Sequence, residues 1–250
     1  MKQIIKNNLK YIILLAIFGL FGGYFTAVYT IQNLNQDMLD EILSQIGNID
    51  LLIVITTIQS LGYAIILGIL GKILAQKIGL WRKVKFIKQG NIELLIVSLI
   101  GGAAFILLDV LIFANFHEAI QNSYEAKPTV EYIIASITYG GVVEEVMLRL
   151  FFMSLIALGI QKITKKEEMS SKILIIANVI AALLFAAGHL PATYTMMSPV
   201  TPMIIFRCFL LNGGFALLFG RLYRKYGIHY AILGHVGVHI VSKLIWILFI

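Results

Sequence analysis

Seven membrane-length apolar runs, separated by short polar segments, set the pattern of this chain. The runs are Tyr11–Ile31, Leu51–Leu74, Leu94–Phe116, Tyr132–Ile160, Ile173–His189, Pro202–Gly220 and Tyr230–Ile250. Each is near the ~20 residues that a helix needs to cross the hydrocarbon of a bilayer. The pattern predicts an all-α fold, a polytopic bundle of about seven transmembrane helices forming a single membrane domain. The first run carries no A-x-A cleavage pattern behind it and is long for a signal peptide, so it reads as a retained helix. No internal repeat or low-complexity tract interrupts the series.

Composition supports this reading. Of 250 residues, 59% are hydrophobic and 13% charged, and the mean hydropathy is +0.89. A soluble domain of this size has no means of hiding so much apolar surface. The formal net charge of +7 does not imply nucleic acid as a partner, because the basic residues lie between apolar runs. Met1–Lys10 carries Lys2, Lys6 and Lys10. Gln32–Asp50 carries Asp37, Asp40, Glu41 and Asp50 with no basic residue. Gln76–Asn91 is basic, with Lys77, Arg82, Lys83, Lys85 and Lys88. His117–Glu131 sets Glu118, Glu125 and Glu131 against Lys127. Lys162, Lys165, Lys166 and Lys172 mark Gln161–Lys172, Leu190–Thr201 has no charge, and Arg221–His229 holds Arg221, Arg224 and Lys225. Basic and non-basic connections therefore alternate, which places the N-terminus and the basic loops in the cytoplasm by the positive-inside rule. Gln76–Asn91 reads as a solvated, orienting loop rather than an interfacial helix. The single cysteine, Cys208, excludes an internal disulfide and a cysteine-based zinc site, and is assigned to helix packing. The Lys-, Ile- and Asn-rich composition points to a multi-pass protein of a bacterial plasma membrane.

Inside the fourth run stands Gly140-Gly141-Val142-Val143-Glu144-Glu145-Val146-Met147-Leu148-Arg149. A charged group at mid-bilayer costs about 2.5–3.5 kcal/mol on insertion scales, so three of them close together need a purpose. Glu145 and Arg149 are four apart with the acid first, the favourable order for an ion pair on a helix. Glu144 is turned by about 100° from Glu145, which leaves it for acid–base work; a purely structural ion pair is the plainer reading. In the other runs, Asp109 and Arg207 either pair across helices or line a cavity. Lys243 is close enough to the end of the last run to snorkel.

The histidines add to this. Phe185-Ala186-Ala187-Gly188-His189-Leu190-Pro191 ends the fifth run, and Pro191 is expected to stop the helix at Leu190, with His189 in its last turn. His235 and His239 are four apart and share a helical face, a spacing suited to two ligands on one metal or two donors on one oxyanion. Straight helices leave Glu144 at mid-membrane, His189 toward the outer side and His235 nearer the inner side. A compact site therefore needs a broken or tilted span, and Gly140-Gly141 is a place for the bend.

Glu-Glu-x-x-x-Arg, then Phe-x-x-x-His, then a histidine followed four residues later by a polar side chain, each within an apolar run and in that order, resembles the CPBP family of intramembrane proteases. That family includes the CAAX prenyl endopeptidases and the bacterial Abi proteins. The resemblance covers roughly residues 132–250, a four-helix catalytic core, and leaves three N-terminal helices (1–131) without a matching motif. It implies that Glu144 activates the hydrolytic water, that Glu145 and Arg149 support it as an ion pair, that His189 helps to hold the water, and that His235 and His239 stabilise the oxyanion. In the family the position of His239 is commonly Asn or Asp. The resemblance fits a zinc-dependent and a metal-free glutamate mechanism equally, and no His-Glu-x-x-His signature is present. Its implied partners are the lipid bilayer and a peptide or membrane-protein substrate. Two further functions fit the same residues: a proton- or cation-coupled transporter relaying charge through the acids and histidines, and a bacteriocin self-immunity protein or scaffold that does no proteolysis.

Overall fold

The computed structural model describes residues 2–250, with side-chain surroundings from Asn8 onward. The orienting role expected of Lys2 and Lys6 lies outside the described side chains. Among the described residues the chain is helical with no strand. In order, α1 is Lys2–Asn33, α2 Gln36–Ile46 and α3 Ile49–Gly62, which continues through a π-helical turn, Tyr63–Leu67, into α4, Gly68–Lys77. After an irregular segment, α5 spans Lys88–Leu111 and is followed by the short α6, Glu118–Ser123. The next rod begins as α7, Val130–Ala135, runs through two π-helical segments, Ser136–Glu144 and Val146–Met153, and ends as α8, Ser154–Ile163. Then come α9 (Ser171–Gly188), α10 (Leu190–Met196) and α11 (Pro202–Cys208). A π turn, Phe209–Gly214, leads into α12 (Phe215–Tyr226), and α13 (Ile228–Phe249) closes the series.

Side-chain caps fix where many of these helices start. Asn35 accepts from the Met38 amide at 2.8 Å, Asn48 from Leu51 at 2.9 Å, Thr129 from Tyr132 at 3.2 Å, Ser170 from Ile173 at 3.3 Å and Thr201 from Ile204 at 3.4 Å. Each satisfies an amide that has no partner in its own helix. Asn35 caps a short helix, α2, within the acidic connection between the first two runs. The basic segment at 80–87 is irregular, as expected of an orienting loop.

Among the described residues, six helices are long and apolar enough to cross a membrane: Asn8–Asn33, Ile49–Lys77, Lys88–Phe116, Ser171–Met196, Pro202–Tyr226 and Ile228–Phe249. The remaining rod, α7 to α8, covers the fourth expected span. It differs from the other six in winding as a π-helix over two successive segments and in carrying Glu144, Glu145 and Arg149 there. The protein is a multi-pass membrane protein. Its outward faces are apolar, with Leu14, Ile100 and Leu248 among many exposed large side chains. Such surface is at no disadvantage in lipid, where helices associate through close packing and polar contacts instead. The α9 helix shows this, burying Ala177 and Ala181, and then Ala182 and Ala186, at helical spacing. Leu150 and Met153 of the α7–α8 rod share one apolar cluster with Ala177 and Ala181, Phe219 and Leu222 of α12, and Val238 of α13. Away from this cluster, Asp109 of α5 and Arg207 of α11 pair across helices, with Nη2 to Oδ2 at 2.6 Å and Nε to Oδ1 also bonded. Tyr124 adds its hydroxyl to Asp109 at 2.6 Å.

The helix is not stopped at Leu190. It breaks at His189 and restarts as α10, with Pro191 in the new first turn, where a missing N–H costs nothing.

Candidate active site

The α7–α8 rod lies at the centre, packed by α1 and α13 on its first π segment and by α4 and α9 on its second. Its unusual winding has a local cause. Ser136 and Thr138 turn their hydroxyls back onto the carbonyls of Tyr132 and Ile134, each at 2.7 Å, loosening the helical ladder where the first π segment begins. Gly140 and Gly141 follow. A Cβ on Gly141 would stand 2.4 Å from the Val236 side chain, so only a glycine lets α13 come this close. Single-turn π-bulges, frequent at functional sites, are the usual form of this geometry, and here it extends over both π segments.

Glu144 closes the first π segment, Glu145 sits at the junction and Arg149 lies within the second. The expected ion pair is present: Arg149 Nε donates to Glu145 Oε2 at 3.2 Å, and both residues are fully buried. The guanidinium also lies over the Phe185 ring, 5.7 Å from its centroid. The other oxygen of Glu145, Oε1, takes His235 Nδ1 at 3.0 Å. His235 is stacked between the rings of Phe219, 4.3 Å away, and His239, 4.8 Å away. Glu145 thus joins its own rod to α13 and sets the plane of the His235 ring, leaving Nε2 as that ring's remaining polar atom.

Glu144 has a different environment. Its side chain is 16% exposed and faces His189, which is 33% exposed, with Oε1 and Nε2 4.0 Å apart. That is too long for a direct hydrogen bond and short enough for one water to bridge. The break between α9 and α10 turns His189 toward this carboxylate. Its Nδ1 lies 2.9 Å from the Phe185 carbonyl, an acceptor, so Nδ1 carries the proton and Nε2 presents a lone pair to Glu144. Gly140 makes the third side. A Cβ there would lie 3.1 Å from His239 Nε2 and 3.8 Å from Glu144 Oε2, so the hollow left by the missing side chain has the imidazole on one side and the carboxylate on the other.

The π winding and the break at His189 therefore bring together groups that straight helices would leave at different depths. Glu144 meets His189 and, across Gly140, His239; Glu145 meets Arg149 and His235. Among the described residues, no three His, Cys, Asp or Glu side chains group so as to hold a metal ion.

With that geometry in view, one comparison speaks to the chain's ancestry. Residues 126–241 match the family model described as Rce1-like, type II CAAX prenyl endopeptidase Rce1-like. The matched stretch, a little under half of the chain, is similar to that family. The match agrees with the resemblance to CPBP proteases read from the motifs. It spans Glu144, Glu145, Arg149, His189, His235 and His239, and it stops before Lys243. No curated protein and no solved structure matches the chain.

Lys243 is the site neighbour that the sequence reading misplaces. It does not snorkel. It is 5% exposed, with Nζ 3.5 Å from His239 Nδ1 and 4.0 Å from the centroid of the Tyr132 ring. The signal was present: 235, 239 and 243 are successive four-residue steps, and so share one face of α13.

Proposed function

We propose that this protein hydrolyses a peptide bond in a membrane-associated peptide or protein by a metal-free route in which Glu144 is the general base. The observation that carries the reading is the carboxylate of Glu144 set 4.0 Å from His189 Nε2, beside a fully buried Glu145–Arg149 pair. A water between Glu144 and His189 donates one hydrogen to each and turns a lone pair outward. Glu144 takes the proton as the oxygen attacks the scissile carbonyl, and then returns it to the leaving amine. Hydrolysis consumes one water and yields a carboxylate and an amine.

His239 Nε2, across the Gly140 hollow, serves as a donor to the developing oxyanion. His235, held by Nδ1 against Glu145, becomes a second donor through Nε2 whenever both ring nitrogens carry protons. Removing one such donor costs about 2.7–4 kcal/mol of transition-state stabilisation. Glu145 and Arg149 are positioning residues, acting through His235 and through the shape of the rod.

The test uses the full chain reconstituted in liposomes with two quenched fluorescent probes, a farnesylated peptide ending in a CAAX sequence and an unprenylated membrane-anchored peptide. Cleavage of either by the wild-type protein is expected, and Glu144→Gln is expected to reduce it by about 10²–10⁴-fold with folding and insertion unchanged. Wild-type cleavage rates in the Gln variant would overturn the assignment of the base. Proton or cation flux across the same liposomes without cleavage would favour transport instead.

A further inference from the structure

The contact between His239 and Lys243 is unexplained by the hydrolytic scheme alone. A buried ammonium within a bilayer is costly, and one that does not reach the membrane surface calls for a local role. Two neighbours are described for Lys243 Nζ: the face of Tyr132, with its ring centroid at 4.0 Å, and His239 Nδ1 at 3.5 Å. Cation–π attraction holds the ammonium over the ring, and its N–H groups have the imidazole nitrogen within reach. While Lys243 is an ammonium it has donors and no acceptor, and the partner nitrogen then presents its lone pair. The proton of a neutral His239 ring is thereby assigned to Nε2, the atom that faces the Gly140 hollow.

We infer that Lys243 is a positioning residue that holds His239 as its Nε2–H tautomer, so that this histidine donates into the site as an amide side chain would. The inference rests on the proposed hydrolytic site and explains a departure within it. Where CPBP proteases commonly carry Asn or Asp, this chain carries a ring with two tautomers, one of which turns an acceptor toward the oxyanion. Lys243 selects the other. Ring packing supports the same orientation. His235 stacks on one face of His239 with an interplanar angle of 27°, and Phe105 meets it edge-on at 6.4 Å. The ring plane is thus fixed by neighbours, and the proton by Lys243.

The experiment pairs two readouts on the full chain, the first in detergent and the second in liposomes. The first is the ¹⁵N spectrum of histidine-labelled protein, with His239 assigned by its loss in His239→Asn. A protonated Nε2 and an unprotonated Nδ1 are expected at neutral pH, shifting toward a mixture of tautomers in Lys243→Met. The second is cleavage of the liposome probes by the wild type, Lys243→Met, His239→Asn and the double variant. Lys243→Met is expected to lower kcat by about 10- to 100-fold, up to the loss of an oxyanion donor outright, with little change in KM. In the His239→Asn background the same change is expected to have little further effect, because an amide has no tautomer to select. A ¹⁵N pattern unaltered by Lys243→Met, or an equal loss of kcat in both backgrounds, would overturn the role assigned to Lys243. If the wild-type protein cleaves no probe, the hydrolytic reading fails. The ¹⁵N comparison still decides whether Lys243 sets the His239 tautomer.

Discussion

At the scale of single residues, the two neighbouring acids of the Glu-Glu motif do different work because their surroundings differ. Glu145 is shut in with Arg149 and His235, and Glu144 opens toward His189. The missing side chain of Gly140 is as much a part of the site as any side chain present. Gly140→Ala would put a methyl group 3.1 Å from His239 Nε2, tighter than ordinary contact, and the imidazole would have to give way. The expected outcome is a loss of about tenfold or more in kcat, since small misplacements of catalytic groups are expensive, with the melting temperature little changed. Full activity in this variant would show that the hollow is not where the reaction occurs. Much at this scale was legible in the sequence. The i, i+4 spacing of Glu145 and Arg149 foretold their pair, and the same spacing put His235 and His239 on one face. Lys243 was misread because nearness to a helix end says nothing of whether a neighbouring ring covers the side chain.

At the scale of elements, the central rod holds the site together through one carboxylate shared between helices. Glu145→Gln would leave the buried guanidinium of Arg149 without its counter-ion. Nη1 and Nη2 of Arg149 already have no hydrogen-bond partner among the described residues. Breaking a buried pair from one side costs about 3–5 kcal/mol. A clear fall in the thermal midpoint in detergent is therefore expected, and an unchanged midpoint would mean that the pair contributes nothing to the fold. The element boundaries were largely readable from the apolar runs and their Asn, Ser and Thr caps. The π winding was not. Gly140-Gly141 marked the place where the helix departs from regularity, but hydrophobicity has no period that distinguishes a π-helix inside a run apolar on every side. Pro191 was likewise ambiguous. A proline that ends one helix and a proline that opens the next look the same in sequence, and here it opens α10.

At the scale of the whole molecule, the alternation of basic and non-basic connections matches the way the loops gather. Arg82 donates to the carbonyl of Arg224 at 3.2 Å and to that of Lys225, both at the end of α12, which joins two basic segments at one end of the bundle. At the other end, His117 meets the Pro199 carbonyl at 3.3 Å. The positive-inside rule predicts a cytoplasmic basic end, and on that expectation cysteines introduced by Lys85→Cys and Asp37→Cys should react with a membrane-impermeant maleimide from opposite sides. The native Cys208 is buried and contributes little background. Labelling of both from one side would contradict this topology. Whether Glu144 delivers a water directly to the peptide carbonyl is decided by a single turnover in ¹⁸O-water, read by mass spectrometry. One ¹⁸O is expected in the new C-terminal carboxylate of the product and none in the Glu144 carboxylate; ¹⁸O found in Glu144 would mean that it had bonded covalently to the substrate, and would overturn its role as general base.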